Sequence, residues 1–212
     1  MRKQVQTVAV LGLALGLIAA APARAQVGSG LLDLNQAPEA ELSKLPHMAP
    51  AVAKEILAKR PFGSITEAHA ILTASGLSAQ QITELYGKAF VHVNLNTGSA
   101  PEIQLIPGAG RRMAHEFEEY RPWKSWAQFD KEIGKYVAKA EVERLKQYVF
   151  IPLKLNTATE AEFMTIPGVG KRMAHEFEEY RPWKTREQFQ KEIGKYVDAK
   201  EVARLWRFVS LD

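Results

Sequence analysis

Ile106-Pro107-Gly108-Ala109-Gly110-Arg111-Arg112 and Ile166-Pro167-Gly168-Val169-Gly170-Lys171-Arg172 are one phrase written twice, 60 positions apart. Each runs directly into the same twelve residues, MAHEFEEYRPWK, at Met113 to Lys124 and at Met173 to Lys184. Lys131 to Val137 recurs in the same way as Lys191 to Val197, so the offset is a period of the chain and not a chance match. An older copy stands before them. Leu34-Asn35, Leu45-Pro46 and Arg60-Pro61-Phe62 align with Leu95-Asn96, Ile106-Pro107 and Arg121-Pro122-Trp123 at an offset of 61. One extra residue near Ala74 to Gly76 then brings the first copy back into step with the others.

Within each copy the patterning is helical. Ser99 with Glu102, and Thr159 with Glu162, form capping boxes in which hydroxyl and carboxylate satisfy each other's backbone donors, and the helix they open is expected to end at Pro107 or Pro167. Met113, Phe117 and Tyr120 then make one apolar stripe of a second helix, which Pro122 stops; Met173, Phe177 and Tyr180 repeat it. Val142, Leu145 and Val149 are read on one face of a closing helix, as are Val202, Leu205 and Val209. No period-2 run or Asn-Gly hairpin occurs, so strands are not expected. The fold class that follows is all-α, with four or five short helices in each of three tandem repeats of about sixty residues. A unit that small supports only a marginal core, so packing between neighbours should help. The short joints His92-Val93-Asn94 and Pro152-Leu153-Lys154 favour a semi-rigid row.

The N-terminal 25 residues differ from the rest. Arg2 and Lys3 precede an almost wholly apolar run from Val8 to Ala21, followed by Ala23-Arg24-Ala25, which reads as a signal peptide with a small-residue cleavage site; an uncleaved anchor is the other reading. The expected domains are therefore a signal peptide at 1–25 and repeats at 26–91, 92–152 and 153–212, with Gln26 to Gly30 as a flexible start. After cleavage no membrane span is left, and a periplasmic or secreted location is expected. The chain has no cysteine, which excludes lipoprotein attachment, disulfides and thiolate metal sites. Of its 28 basic residues Arg2, Lys3 and Arg24 leave with the signal peptide, so 25 face 24 acidic residues, a mature balance of +1. A generic polyanion binder carries a basic face. Here such binding has to come from local clusters.

The glycine turns are those clusters. Two glycines flanking one residue between two helices allow a tight turn with positive φ, which points successive N–H groups outward from the start of the second helix. Those groups and the positive end of the helix dipole suit phosphate, and the basic pair that follows can reach its neighbours. At this point the sequence resembles the helix-hairpin-helix family, and in its layout the ComEA-like competence proteins. The resemblance is carried by the signal peptide, the openings Leu95-Asn96-Thr97 and Leu155-Asn156-Thr157, the Pro-Gly-x-Gly turns and the stretch from Ala114 to Arg121. It implies three helix-hairpin-helix repeats that bind double-stranded DNA without sequence preference outside the cytoplasm, in DNA uptake for transformation, with uptake or secretion machinery as protein partners. The phosphate-binding residues it implies are Gly108, Gly110, Arg111, Arg112, Gly168, Gly170, Lys171 and Arg172. With about three phosphates per hairpin, the log–log salt slope is expected near −5.

Three departures shape the expectation. The first repeat is degenerate: it has His47-Met48-Ala49-Pro50-Ala51 at the turn, without glycines or basic pair, and is not expected to bind DNA. The family's second glycine turn is replaced by Tyr136-Val137-Ala138 and Tyr196-Val197-Asp198, leaving one grip per repeat. Arg112 and Glu116 have the spacing of an ion pair, and with Glu118 and Glu119 nearby part of the positive field should cancel.

Other constellations have plainer readings. His115 with Glu119, and His175 with Glu179, lack the second histidine of a metal motif and read as solvated faces, so no metal and no cofactor is expected. Trp123 and Trp183 after Arg-Pro read as core, since Phe62 takes that place in the first repeat. Lys131, Lys135 and Lys139 alternate with Glu132 and Glu141 as a charged helix surface. No nucleophile motif, isolated carboxylate pair or phosphate loop is present, so an enzyme is not expected. The rival to DNA binding is an exported scaffold that keeps the helix-hairpin-helix fold and binds protein.

Overall fold

The computed structural model describes residues 30–211. The signal peptide and most of the flexible start expected at Gln26 to Gly30 lie outside the described residues. The chain is mostly helical, and its elements follow one order three times: strand, four helices, strand.

In the first block β1 (Leu32–Asp33) is followed by α1 (Glu39–Leu42), α2 (Pro50–Lys59), α3 (Ile65–Ala74), α4 (Ala79–Tyr86) and β2 (Ala89–Phe90). The second runs β3 (Val93–Asn94), α5 (Ala100–Gln104), α6 (Arg111–Glu119), α7 (Trp126–Ile133), α8 (Lys139–Lys146) and β4 (Val149–Phe150). The third runs β5 (Leu153–Lys154), α9 (Glu160–Phe163), α10 (Lys171–Glu179), α11 (Arg186–Ile193), α12 (Ala199–Trp206) and β6 (Val209–Ser210).

The strands correct the all-helical expectation. Each block's first strand pairs in parallel with its last: Leu32 with Ala89, Val93 with Val149, Leu153 with Val209. A parallel pair needs a long crossover, and here the four helices supply it. Elements two residues long leave no alternation to read. Val149 and Val209 therefore belong to strands and not to the closing helices, and the segments expected as linkers contain β3 and β5.

The capping boxes form as the sequence indicates. The Ser99 amide donates to the Glu102 carboxylate at 2.8 Å and the Thr159 amide to Glu162 at 2.7 Å. The helices they open end at Gln104 and Phe163, before the prolines, because the chain tightens into turns first.

A side-chain latch closes every block. The Asn96 amide donates to the Trp123 carbonyl at 3.0 Å while its oxygen accepts the Trp123 N–H at 2.6 Å. Asn156 holds Trp183, and Asn35 holds Phe62, in the same way. Arg121 adds a bond from Nε to the Leu95 carbonyl at 2.7 Å, matched by Arg181 to Leu155. The Leu-Asn openings and Arg-Pro-aromatic segments thus face each other as two halves of one device. Trp123 and Trp183 are buried, each indole N–H donating to the backbone of Phe117 or Phe177.

Blocks one and two share a continuous apolar core from Leu34 to Val149, and a second core gathers Phe150 to Val209. Block three also returns to block one. Arg207 donates to the His92 carbonyl at 3.0 Å and to the Phe62 carbonyl at 3.3 Å. The buried His92 meets Asp33 at 3.1 Å close by.

Candidate nucleic-acid interface

Gly108 (φ 78°) and Gly168 (φ 81°) adopt the left-handed conformation that the sharp turn before α6 and α10 requires. The next residue, Ala109 or Val169, plugs into the core and bonds its amide back to Ile106 or Ile166. Gly110 and Gly170 are extended N-caps without a side-chain partner for the helix start. Among the described residues no acceptor meets the N–H groups of Gly110, Arg111 and Arg112, or of Gly170, Lys171 and Lys171's neighbour Arg172. Both turns are exposed, so the donors and the positive helix end face solvent.

All eight residues expected at the site are brought together here, four per hairpin, and all are exposed. One expectation about their charge fails. Arg112 does not pair with Glu116, and Arg172 does not pair with Glu176: the guanidinium of Arg112 lies 5.3 Å from the Tyr136 ring centre, and that of Arg172 lies 5.6 Å from Tyr196. The glutamates point inward instead, each only 7 % exposed. Neither basic pair is neutralised by an ion pair among the described residues. Tyr136 is hydrogen-bonded to Tyr120 and lies by the Glu116 carboxylate, which together push its phenol above the usual range; Tyr196 repeats this with Tyr180 and Glu176.

Arg144 is a site residue that sequence reasoning missed. From α8 it donates to the Pro107 carbonyl at 2.5 Å and grips Glu141 at 2.6 and 2.7 Å, and the hydrogen bonding with Glu141 holds Arg144 above and Glu141 below their usual ranges. Arg204 takes the equivalent place against Glu201, with its guanidinium beside Gly168. The signal was present in the repeat offset, but Glu141-Arg144 reads as an ordinary surface pair until the hairpin is seen above it. Gly168 differs from Gly108 in one respect: the amide of Gln36, from block one, packs against it.

Block one keeps the turn and loses the donors. His47, at φ 61°, occupies the left-handed position of Gly108 without being glycine. Ala49 turns its N–H back to the His47 carbonyl at 3.2 Å, and Pro50 has none to offer. Glu84, the residue aligned with Arg144, bonds the His47 ring at 2.7 Å, an interaction that, with Gln80, holds its carboxyl below the usual range. A carboxylate thus sits where the other blocks carry a guanidinium.

The remaining charged candidates have carboxylate partners of their own. His115–Glu119 and His175–Glu179 are exposed pairs at 3.4 and 3.7 Å, and no group of three metal-ligating side chains occurs among the described residues. Lys131 and Lys135 pair with Glu132. No helix among the described residues is long and apolar enough to cross a membrane. No family model, curated protein or solved structure matches the chain.

Proposed function

We propose that this chain is an exported protein of three tandem helix-hairpin-helix repeats, the first degenerate, and that the second and third bind the phosphate backbone of double-stranded DNA without sequence preference. One observation carries this reading: two exposed glycine hairpins present unpartnered N–H groups at a helix start, each with a basic pair that no carboxylate neutralises. Gly108, Gly110, Arg111 and Arg112 form one grip; Gly168, Gly170, Lys171 and Arg172 form the other. Two weak grips on one chain reinforce each other through effective concentration. Contacts of this kind fix position on the backbone and leave the base edges unread in a duplex. The signal peptide reading places the protein in the periplasm or outside the cell, and the resemblance to ComEA-like proteins supplies the role, DNA uptake, with uptake or secretion machinery as partners.

Gel shifts on unrelated duplexes at two salt concentrations test the reading, beside a variant carrying Gly110→Ala, Arg112→Ala, Gly170→Ala and Arg172→Ala. A salt-sensitive shift that the variant loses supports it. No shift at tens of micromolar protein, or one unchanged in a folded variant, overturns it. The scaffold reading is favoured for block one alone, where Glu84 and Pro50 remove charge and donor from a turn that is otherwise kept.

A further inference from the structure

A cleft of about 1100 Å3 opens where the three blocks meet, lined by Gly63 and Ser64 from block one and by the segments around Trp126 and Trp206 from blocks two and three. None of the eight hairpin residues lines it. It exceeds the roughly 300–1,000 Å3 of a pocket built for one small molecule. Lys124, Lys154 and Thr157 on its wall are exposed, so it is open to solvent.

Its two tryptophans are not products of copying. Trp126 opens α7, and the residue 60 positions on is Arg186; Trp206 closes α12, and the residue 60 positions back is Lys146. Each block thus keeps one ring and one cation in exchanged places, with Lys146 5.9 Å from the Trp126 ring centre and Arg186 5.7 Å from that of Trp206. Of these four side chains the two rings line the cleft and the two cations do not. An exact copy would have put one ring and one lysine there. Both rings are half-buried and braced on core phenylalanines, Trp126 on Phe129 at 5.7 Å and Trp206 on Phe189 at 5.2 Å between ring centres.

The charge on the wall suits an anion. The side chains of Lys124 and Lys154 have no carboxylate partner among the described residues, whereas Lys131, Lys146, Lys191 and Lys195 all do. Arg207, also on the wall, gives its N–H groups to the Phe62 and His92 carbonyls and forms no ion pair among the described residues. Glu102 and Glu162 line the cleft too, but the amides and hydroxyls of Ser99 and Thr159 already engage their carboxylates.

We propose that this cleft seats a short run of single-stranded nucleic acid, its bases stacked on Trp126 and Trp206 and its backbone drawn to Lys124, Lys154 and Arg207. A cationic groove with aromatic platforms holds single strands whatever their sequence, because every base has a flat face. A duplex keeps those faces inside its own stack and stays with the hairpins. A neutral glycan uses the rings and leaves the cations idle. The site is separate from the hairpins, so the chain has one place for a duplex backbone and another for a free strand.

Fluorescence anisotropy of a labelled oligothymidine tests this on the whole chain, beside the hairpin variant described above. Both proteins are expected to bind the strand. Trp126→Leu and Trp206→Leu, added to the hairpin variant, should weaken strand binding about thirtyfold; in the wild type they should leave duplex binding within about twofold. Lys124→Gln with Lys154→Gln, in the hairpin variant, should make the log–log salt slope for the strand shallower by about 1.4. Strand binding that is absent at tens of micromolar, or that disappears with the hairpins, overturns the proposal and leaves the duplex reading standing. So does equal binding of a matching abasic strand, a comparison that needs no variant and decides the matter should the leucines disturb the fold. Displacement of the strand by an equal concentration of a neutral chitooligosaccharide or of polyglutamate also overturns it. Intact strand binding without duplex binding overturns the hairpin reading alone.

Discussion

Giving block two the Ala-Pro-Ala of residues 49–51, by Gly110→Ala, Arg111→Pro and Arg112→Ala, should leave it folded and strip its hairpin of phosphate binding. Gly110 is an extended N-cap at φ −81° and ψ −174°, a conformation open to alanine, and an added Cβ there meets nothing within 4 Å. Proline suits the first helical position, and the extended residue before it is the one proline prefers. The amide it removes has no protein acceptor to lose. The melting temperature should therefore stay within a few degrees of wild type. Binding should not. Arg144 and Arg204 are tied to Glu141 and Glu201, which leaves four free cations at the two hairpins and a salt slope of about −3.6, shallower than the sequence-based figure. Removing two of them takes the slope to about −1.8 and weakens binding about thirtyfold at physiological salt. Anisotropy titrations on a labelled duplex across a salt series, with circular dichroism melts in parallel, read both quantities. A folded variant with the wild-type slope would refute the assignment of phosphate contacts to this hairpin.

Three further outcomes follow from other parts of the fold. Asn96→Ala leaves the Trp123 N–H and carbonyl without partners and should cost about 1–3 kcal/mol in urea unfolding, with Asn96→Asp failing to restore both bonds. Arg144→Met frees the Pro107 carbonyl and should lower affinity for duplex DNA severalfold through a looser hairpin, with Kd from anisotropy as the check and an unchanged Kd as the contrary result. Burial works to raise Asp33, but its bond and charge attraction to His92, with the Asn35 amide, hold it below its usual 3.8. A folded-state value below the unfolded one means stability present above that pH and lost as acid titrates Asp33, so melts should fall steeply below about pH 4 and Asp33→Asn should flatten the fall.

The elements legible in the sequence were those with local causes. Ser99–Glu102 and Thr159–Glu162 announce helix starts because both partners lie within one turn, and Gly108 and Gly168 announce the turns because few other residues adopt their φ. His47 shows the limit of that rule: it holds the same conformation with Glu84 as its partner, a residue 37 positions away. The strands escaped notice because two-residue pairs are specified by the meeting of distant chain ends. The Asn–aromatic latch spans 27 residues, so its halves appeared as separate recurrent motifs. Arg112–Glu116 shows spacing misleading in the other direction. Correct spacing permits an ion pair, but Tyr136 offers the guanidinium a ring, and the carboxylate turns inward.

The parallel pairing of each block's first and last strands has a consequence for how such a chain grows. Entry and exit lie side by side, and only Val91-His92 and Ile151-Pro152 separate one block's last strand from the next block's first. A gene segment copied between those points adds a whole helical block and leaves every existing strand pair intact. The near-identity of residues 106–124 and 166–184 is the mark of such a copying event, and the seam made it structurally cheap.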